Sequence, residues 1–100
     1  MAGHRVVRAV IRGRVQGVGY RAWTQGQAEL RGLSGWVRNR RDGSVETVLA
    51  GDSETVEAML AALREGPHGA RVDAVETEDA GPGALALRPE ASGFVVLRTM

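Results

Sequence analysis

The run Gly13-Arg14-Val15-Gln16-Gly17-Val18-Gly19-Tyr20-Arg21 sets three glycines ahead of an arginine, and these residue types suit the binding of an oxyanion. Glycine tolerates φ > 0, so successive backbone N–H groups can turn toward one point and form a nest for negative charge. A helix beginning directly afterwards would aim its unpaired N–H groups and its positive dipole end at the same place. Arg21 can add a planar fork matched to two phosphate oxygens, a bidentate contact that lysine could not supply. The spacing is neither the Walker A pattern nor the dinucleotide G-x-G-x-x-G. Two readings stand on the pattern alone. One is a phosphate site; the other is a tight strand-to-helix turn with permissive glycines and a solvated Arg21.

Asn39 is the second position that could do chemistry. Its carboxamide carries both a donor and an acceptor and no charge. It also lies just before Asp42-Gly43, where an asparagine often only caps a turn.

Placing these residues falls to the elements around them. Residues 1–5 read as a frayed terminus. Val6-Val7-Arg8-Ala9-Val10-Ile11 reads as a first strand, with Val7, Ala9 and Ile11 on one face and arginines on the other. A helix is expected over about residues 21–32, with Trp23, Ala28 and Leu30 as a broken apolar stripe. In it Gly26 would mark a close approach to the sheet, and Gly32 would be the C′ cap. A second strand over 35–40, a turn at Asp42-Gly43 and a third strand over 45–50 follow. Asp52 or Ser53 can cap a second helix, in which Val56, Met59, Leu60 and Leu63 recur at helical spacing until Gly66-Pro67 stops it. A strand over 70–78, a long irregular connection over 79–92 and a short last strand over 94–97 complete the chain. The order β-α-β-β-α-β plus a C-terminal strand predicts an α+β, ferredoxin-like sandwich, two helices on one face of a mostly antiparallel sheet. Its first two strands run parallel and end at one edge of the sheet, which sets the loop 14–20 and Asn39 over one spot.

With both segments in hand, the chain resembles the acylphosphatase family. The first match is Ile11-Arg12-Gly13-Arg14-Val15-Gln16-Gly17-Val18-Gly19-Tyr20-Arg21. The second is Gly35-Trp36-Val37-Arg38-Asn39, followed by Gly43, Val45 and Gly51. Carried over residue by residue, the resemblance implies a phosphate loop at Gln16, Gly17, Val18, Gly19 and Tyr20, with Arg21 and Asn39 catalytic. It implies hydrolysis of the carboxyl–phosphate anhydride of acyl phosphates by in-line attack of a positioned water, with no metal and no cofactor. Tyr20 stands where the family usually carries phenylalanine, and its ring is expected to pack the same way if its hydroxyl reaches water.

Length and composition bound the remaining possibilities. One hundred residues make a single domain, 1–100, and the absence of cysteine excludes disulfides and thiolate chemistry. No apolar run approaches a membrane span and no secretory signal is evident, so a cytoplasmic, monomeric protein is expected, with no membrane partner. Nine arginines and one acid precede Asp42, against four arginines and eleven acids from Asp42 onward, which gives +8 for residues 1–41 and −7 for 42–100. Either the N-terminal half attracts an anionic ligand, or the halves interleave and their charges pair. His4 and His68 lack partners at ligand spacing, so a metal site is not expected. No Ser-His-Asp arrangement can be assembled near the loop. Trp36 alternates with Arg38 and Arg40 and reads as packing. The competing class is a non-catalytic ferredoxin-like module binding a phosphate-containing ligand or RNA. RNA recognition needs aromatic residues on the central strands, which here carry Val, Ala, Ile, Thr and Leu, so no nucleic-acid partner is expected. A regulatory or carrier role inside a larger carbamoyl-transferring protein is a third reading, opposed by the chain's length and by the presence of Arg21 and Asn39.

Overall fold

A computed structural model describes residues 3–87 and 93–99. In chain order the elements are β1 (His4–Arg14), α1 (Tyr20–Leu30), β2 (Ser34–Asn39), β3 (Val45–Asp52), α2 (Ser53–Glu65), β4 (Arg71–Asp79), a 3₁₀ segment (Pro82–Leu87) and β5 (Phe94–Val96). The five strands form one sheet in the order β4-β1-β3-β2-β5. β3 pairs antiparallel with both β1 and β2, so these two run parallel and finish at the same edge. β4 pairs antiparallel with β1, and β5 pairs parallel with β2. This is the predicted ferredoxin-like sandwich.

Period-two alternation decides the faces. Val7, Ala9 and Ile11 of β1 lie opposite Leu49, Thr47 and Val45 of β3 on the helix-bearing face. Val56, Met59, Leu60 and Leu63 of α2 close over them, all buried. Each such side chain contributes roughly 1.5–3 kcal/mol of transfer free energy. Asp52 caps α2 by accepting from the Thr55 N–H at 3.3 Å, as its position before the apolar stripe suggests.

Three details depart from the expectations. β1 runs further at both ends than its apolar core, because it is laddered on two sides, with a bulge at Arg12–Gly13. At that bulge Gly13 has φ 133°, and a Cβ there would meet the Arg71 carbonyl oxygen at 2.2 Å. In α1 the buried residues are Tyr20, Thr24 and Ala28, whereas Leu30 is 82% exposed and Gly26 faces open space rather than the sheet. Thr24 belongs to the inner face because its hydroxyl donates to the Tyr20 carbonyl at 2.8 Å, which leaves only its methyl to pack. Gly32, in the left-handed region at φ 67°, follows α1 as the expected C′ residue. The connection over 79–92 acquires a purpose from the strand order: it joins the two opposite edges of the sheet. On the way, the Ala84 carbonyl accepts from the Trp36 indole at 2.7 Å, and Trp36 is buried. Residues 88–92 of that connection lie outside the described residues.

Candidate active site

The loop between β1 and α1 is fastened at both ends before it presents anything to solvent. Val15 is buried in the core, and Tyr20 is buried at the start of α1. Contrary to the expectation that it would reach water, the Tyr20 hydroxyl donates to the Leu63 carbonyl at 2.6 Å. Leu63 lies in the last turn of α2, where carbonyls lack intrahelical partners, so the hydroxyl satisfies one of them. Burial pushes the Tyr20 phenol well above its ordinary pKa, so it stays protonated. Between these anchors Gly17 and Gly19 adopt φ 75° and 80°, with nothing within 4 Å of where a Cβ would sit. Glycine is therefore required there by conformation and not by space. Gly19 is the N-cap of α1, with no side-chain cap and no acid in the first turn, so the positive end of the helix is left uncompensated.

The loop leans on the β2–β3 hairpin through Gln16. Its Nε2 donates to the carbonyls of Arg40 at 2.8 Å and Ser44 at 2.9 Å. Asp42, not Asn39, caps that hairpin: its Oδ1 accepts from the Ser44 hydroxyl at 2.6 Å and the Ser44 N–H at 2.9 Å. The Ser44 hydroxyl and N–H, then Arg40 and Arg12 nearby, hold the Asp42 carboxyl down to about 2. Asn39 is thereby left without a role in the turn. Its carboxamide and the Arg21 guanidinium, both half-buried, have no hydrogen-bond or ion partner among the described residues.

Both side chains line one cavity of about 300 Å³, together with Val15, Gln16, Gly17, Gly19, Tyr20, Ala22 and Val96. Of the seven residues singled out from the sequence, six meet at this cavity. Val18 does not; it is half-buried against the core. Val96 was missed. The parallel pairing of β5 with β2 carries it to the same sheet edge, a placement the short apolar run 94–97 did not disclose.

A sequence model of the acylphosphatase family matches residues 7–88. The chain belongs to the acylphosphatase family. It is 54% identical to the acylphosphatase of Bradyrhizobium diazoefficiens, an alignment covering 95% of this chain and 96% of that one. It is 55% identical to that of Rhodopseudomonas palustris, covering 95% and 97%. The solved acylphosphatase of Coxiella burnetii superposes with a TM-score of 0.81 at 31% identity, covering 94% of this chain and 93% of that one.

The charge of this acylphosphatase family member is partitioned in space. Arg5, Arg8, Arg12 and Arg38 pair with acids of α2, β3, β4 and the hairpin. Arg14, Arg21, Arg40, Arg41 and Arg98, each a cavity residue or within two positions of one, form no ion pair among the described residues. Arg40 also keeps a buried Nε without a partner. Among the described residues no three His, Cys, Asp or Glu side chains come together so as to hold a metal ion.

Proposed function

We propose that this chain hydrolyses acyl phosphates to a carboxylate and inorganic phosphate, with Arg21 and Asn39 as its catalytic residues and the Gln16–Tyr20 backbone as the phosphate cradle. The acyl phosphate activity rests on membership of the acylphosphatase family. The observation that supports the assignment of roles is the meeting of an unpartnered guanidinium, an unpartnered carboxamide and an uncapped helix start in one cavity.

The chemistry asks for little more. The leaving group is a carboxylate, whose conjugate acid has a pKa of about 4, so it departs without a general acid. Phosphoryl transfer then needs positioning and stabilisation of charge on the equatorial oxygens. Loop N–H groups, on a backbone anchored before substrate arrives, and the Arg21 fork supply both. Asn39 holds the attacking water opposite the leaving oxygen, accepting from it and donating to the phosphoryl group. It is no base, so the water proton passes to the phosphate itself.

No nucleic acid enters this reading. The arginines that would serve a polyanion on the helix-free sheet face, Arg8, Arg12 and Arg38, are engaged by carboxylates, and Trp36 is buried. No helix among the described residues is long and apolar enough to cross a membrane. We read the chain as a cytoplasmic monomer acting on a small molecule.

Phosphate release from acetyl and benzoyl phosphate in the presence of EDTA tests the assignment. Arg21→Ala and Asn39→Ala should each lower kcat/KM by at least about 100-fold, as loss of one preorganised charge-stabilising group does. Both should keep the far-UV circular dichroism of the wild type. Arg21→Lys should not restore activity, because the ammonium cannot span two oxygens. Full turnover by either alanine variant would remove that residue from the mechanism.

A further inference from the structure

The cavity is lined by side chains of two unlike kinds. Its polar lining is Gln16, Arg21 and Asn39, with the backbone of Gly17 and Gly19. Opposite in character are Ala22, exposed on the first turn of α1, and Val96 of β5, which is 40% exposed. A single exposed valine is ordinary on a protein surface. This one is not isolated, because it lines the same concave site as a second exposed apolar side chain, Ala22. Its backbone is tied to β2: Val96 is paired with Val37, and the following Leu97 N–H donates to the Val37 carbonyl at 2.8 Å. Phe94, two residues earlier and so on the same face, is buried in the core and anchors the strand. A β-branched side chain on a strand tethered in this way has few rotamers to lose when a ligand covers it.

The volume makes room for a second group. At roughly 30 Å³ per water molecule, 300 Å³ corresponds to about ten waters. A phosphoryl group fills a minor part of that, and the whole lies at the small end of ligand pockets. The remainder must accept whatever is attached across the anhydride oxygen.

We propose that Val96, with Ala22, forms an acyl-group subsite that selects substrates with an apolar acyl portion, such as an aryl or branched alkyl group. The proposal rests on the reading of the loop and Arg21 as the phosphoryl site. Once the phosphoryl oxygens are held by the polar lining, the acyl carbon substituent occupies the rest of the cavity, which Val96 and Ala22 also line. Covering Val96 removes its exposed methyls from water and stabilises the complex in proportion to the area buried. A small acyl group would not reach it.

The test compares kcat/KM for benzoyl and acetyl phosphate in the wild type, Val96→Ala and the near-isosteric Val96→Thr. In both variants the benzoyl-to-acetyl ratio should fall by about three- to tenfold, the discrimination that one or two methyl-sized contacts supply. Inhibition by inorganic phosphate, which engages only the polar lining, should keep its wild-type Ki. An unchanged ratio in both variants would overturn the subsite. So would a phosphate Ki rising in step with the loss on benzoyl phosphate, because Val96 would then be shaping the phosphoryl site. Turnover of both substrates by the wild type checks the underlying reading separately; its absence would overturn that reading and the subsite with it.

Discussion

Gln16 illustrates how a side chain can serve a loop by holding its backbone in place. Both of its amide hydrogens are committed to backbone carbonyls of the hairpin, Arg40 and Ser44, so the carboxamide is a strut between the loop and the strand end that carries Asn39. Those carbonyls have other donors, the N–H groups of Gly43 and Arg40 respectively, and would not be orphaned without it. Replacing Gln16 by the similarly long but donor-free Met should therefore lower stability by only about 1–2 kcal/mol. It should lower kcat by about tenfold or more, because a displacement of about 1 Å between groups that must act together is enough for that. Inhibition by phosphate should change less than kcat, since the glycine conformations that shape the nest remain. Steady-state kinetics beside thermal unfolding separates these effects, and wild-type kcat in Gln16→Met would show that the strut is dispensable. The sequence displayed Gln16 as part of a loop motif but not this use of it, because its partners lie more than twenty residues away. Tyr20 was misjudged for the same reason. Its ring was placed correctly, yet the acceptor of its hydroxyl sits on α2 and no local pattern announces it.

Elements were legible to the extent that local signals decide them. α2 carries a cap, a complete apolar stripe and a Gly-Pro stop, and every one of these does what the sequence suggested. α1 carries a weaker stripe, and its inner face turned on Thr24, whose suitability depends on a hydrogen bond to its own helix. The helix-free sheet face was the least legible, because it is organised by contacts between strands remote in sequence. At its centre Glu46 is buried on β3, between Arg38 of β2 at 2.8 Å and Arg8 of β1, which also reaches Glu78 of β4 at 2.8 Å. Burial alone would raise the Glu46 pKa, but hydrogen bonds and charge from Arg38 and Arg8 outweigh it and hold the carboxyl below its ordinary value. A lowered folded-state pKa stabilises the fold above the unfolded-state pKa, about 4.3, and that contribution disappears as pH falls through the folded value. Glu46→Gln should be less stable than the wild type by about 2–3 kcal/mol at neutral pH. That is somewhat less than for a fully buried pair, because Arg8 keeps part of its hydration. The difference should narrow steadily from about pH 5 downward, because there the wild-type carboxylate is itself being neutralised. Urea unfolding of both chains across that range is the measurement, and a difference independent of pH would mean that shape and not charge holds the network together.

At the scale of the whole molecule, the two readings of the charge asymmetry turn out to describe different regions. The arginines of β1 other than Arg14 interleave with the acids of β3, β4 and α2, and there the opposite halves of the sequence neutralise each other. At the edge where β1 and β2 end, that neutralisation is only partial, with Asp42 paired to Arg12 and close to Arg40. Arg14, Arg21, Arg40, Arg41 and Arg98 gather within two positions of cavity residues, and no acid lines the cavity itself. A chain with a formal net charge of +1 therefore presents a local field much more positive than its total suggests. Exposed charges act over a Debye length of about 8 Å at physiological ionic strength, so their pull on an approaching phosphate should weaken as salt is added. Raising potassium chloride from about 20 mM to about 500 mM should increase KM for benzoyl phosphate by about three- to tenfold. kcat should hold nearly constant, because the contacts inside the cavity are shielded from mobile ions. Arg41→Gln and Arg98→Gln, each outside the cavity lining, should flatten that dependence. If KM is indifferent to salt, the unpaired arginines contribute nothing to capture, and binding depends on the nest and the Arg21 fork alone.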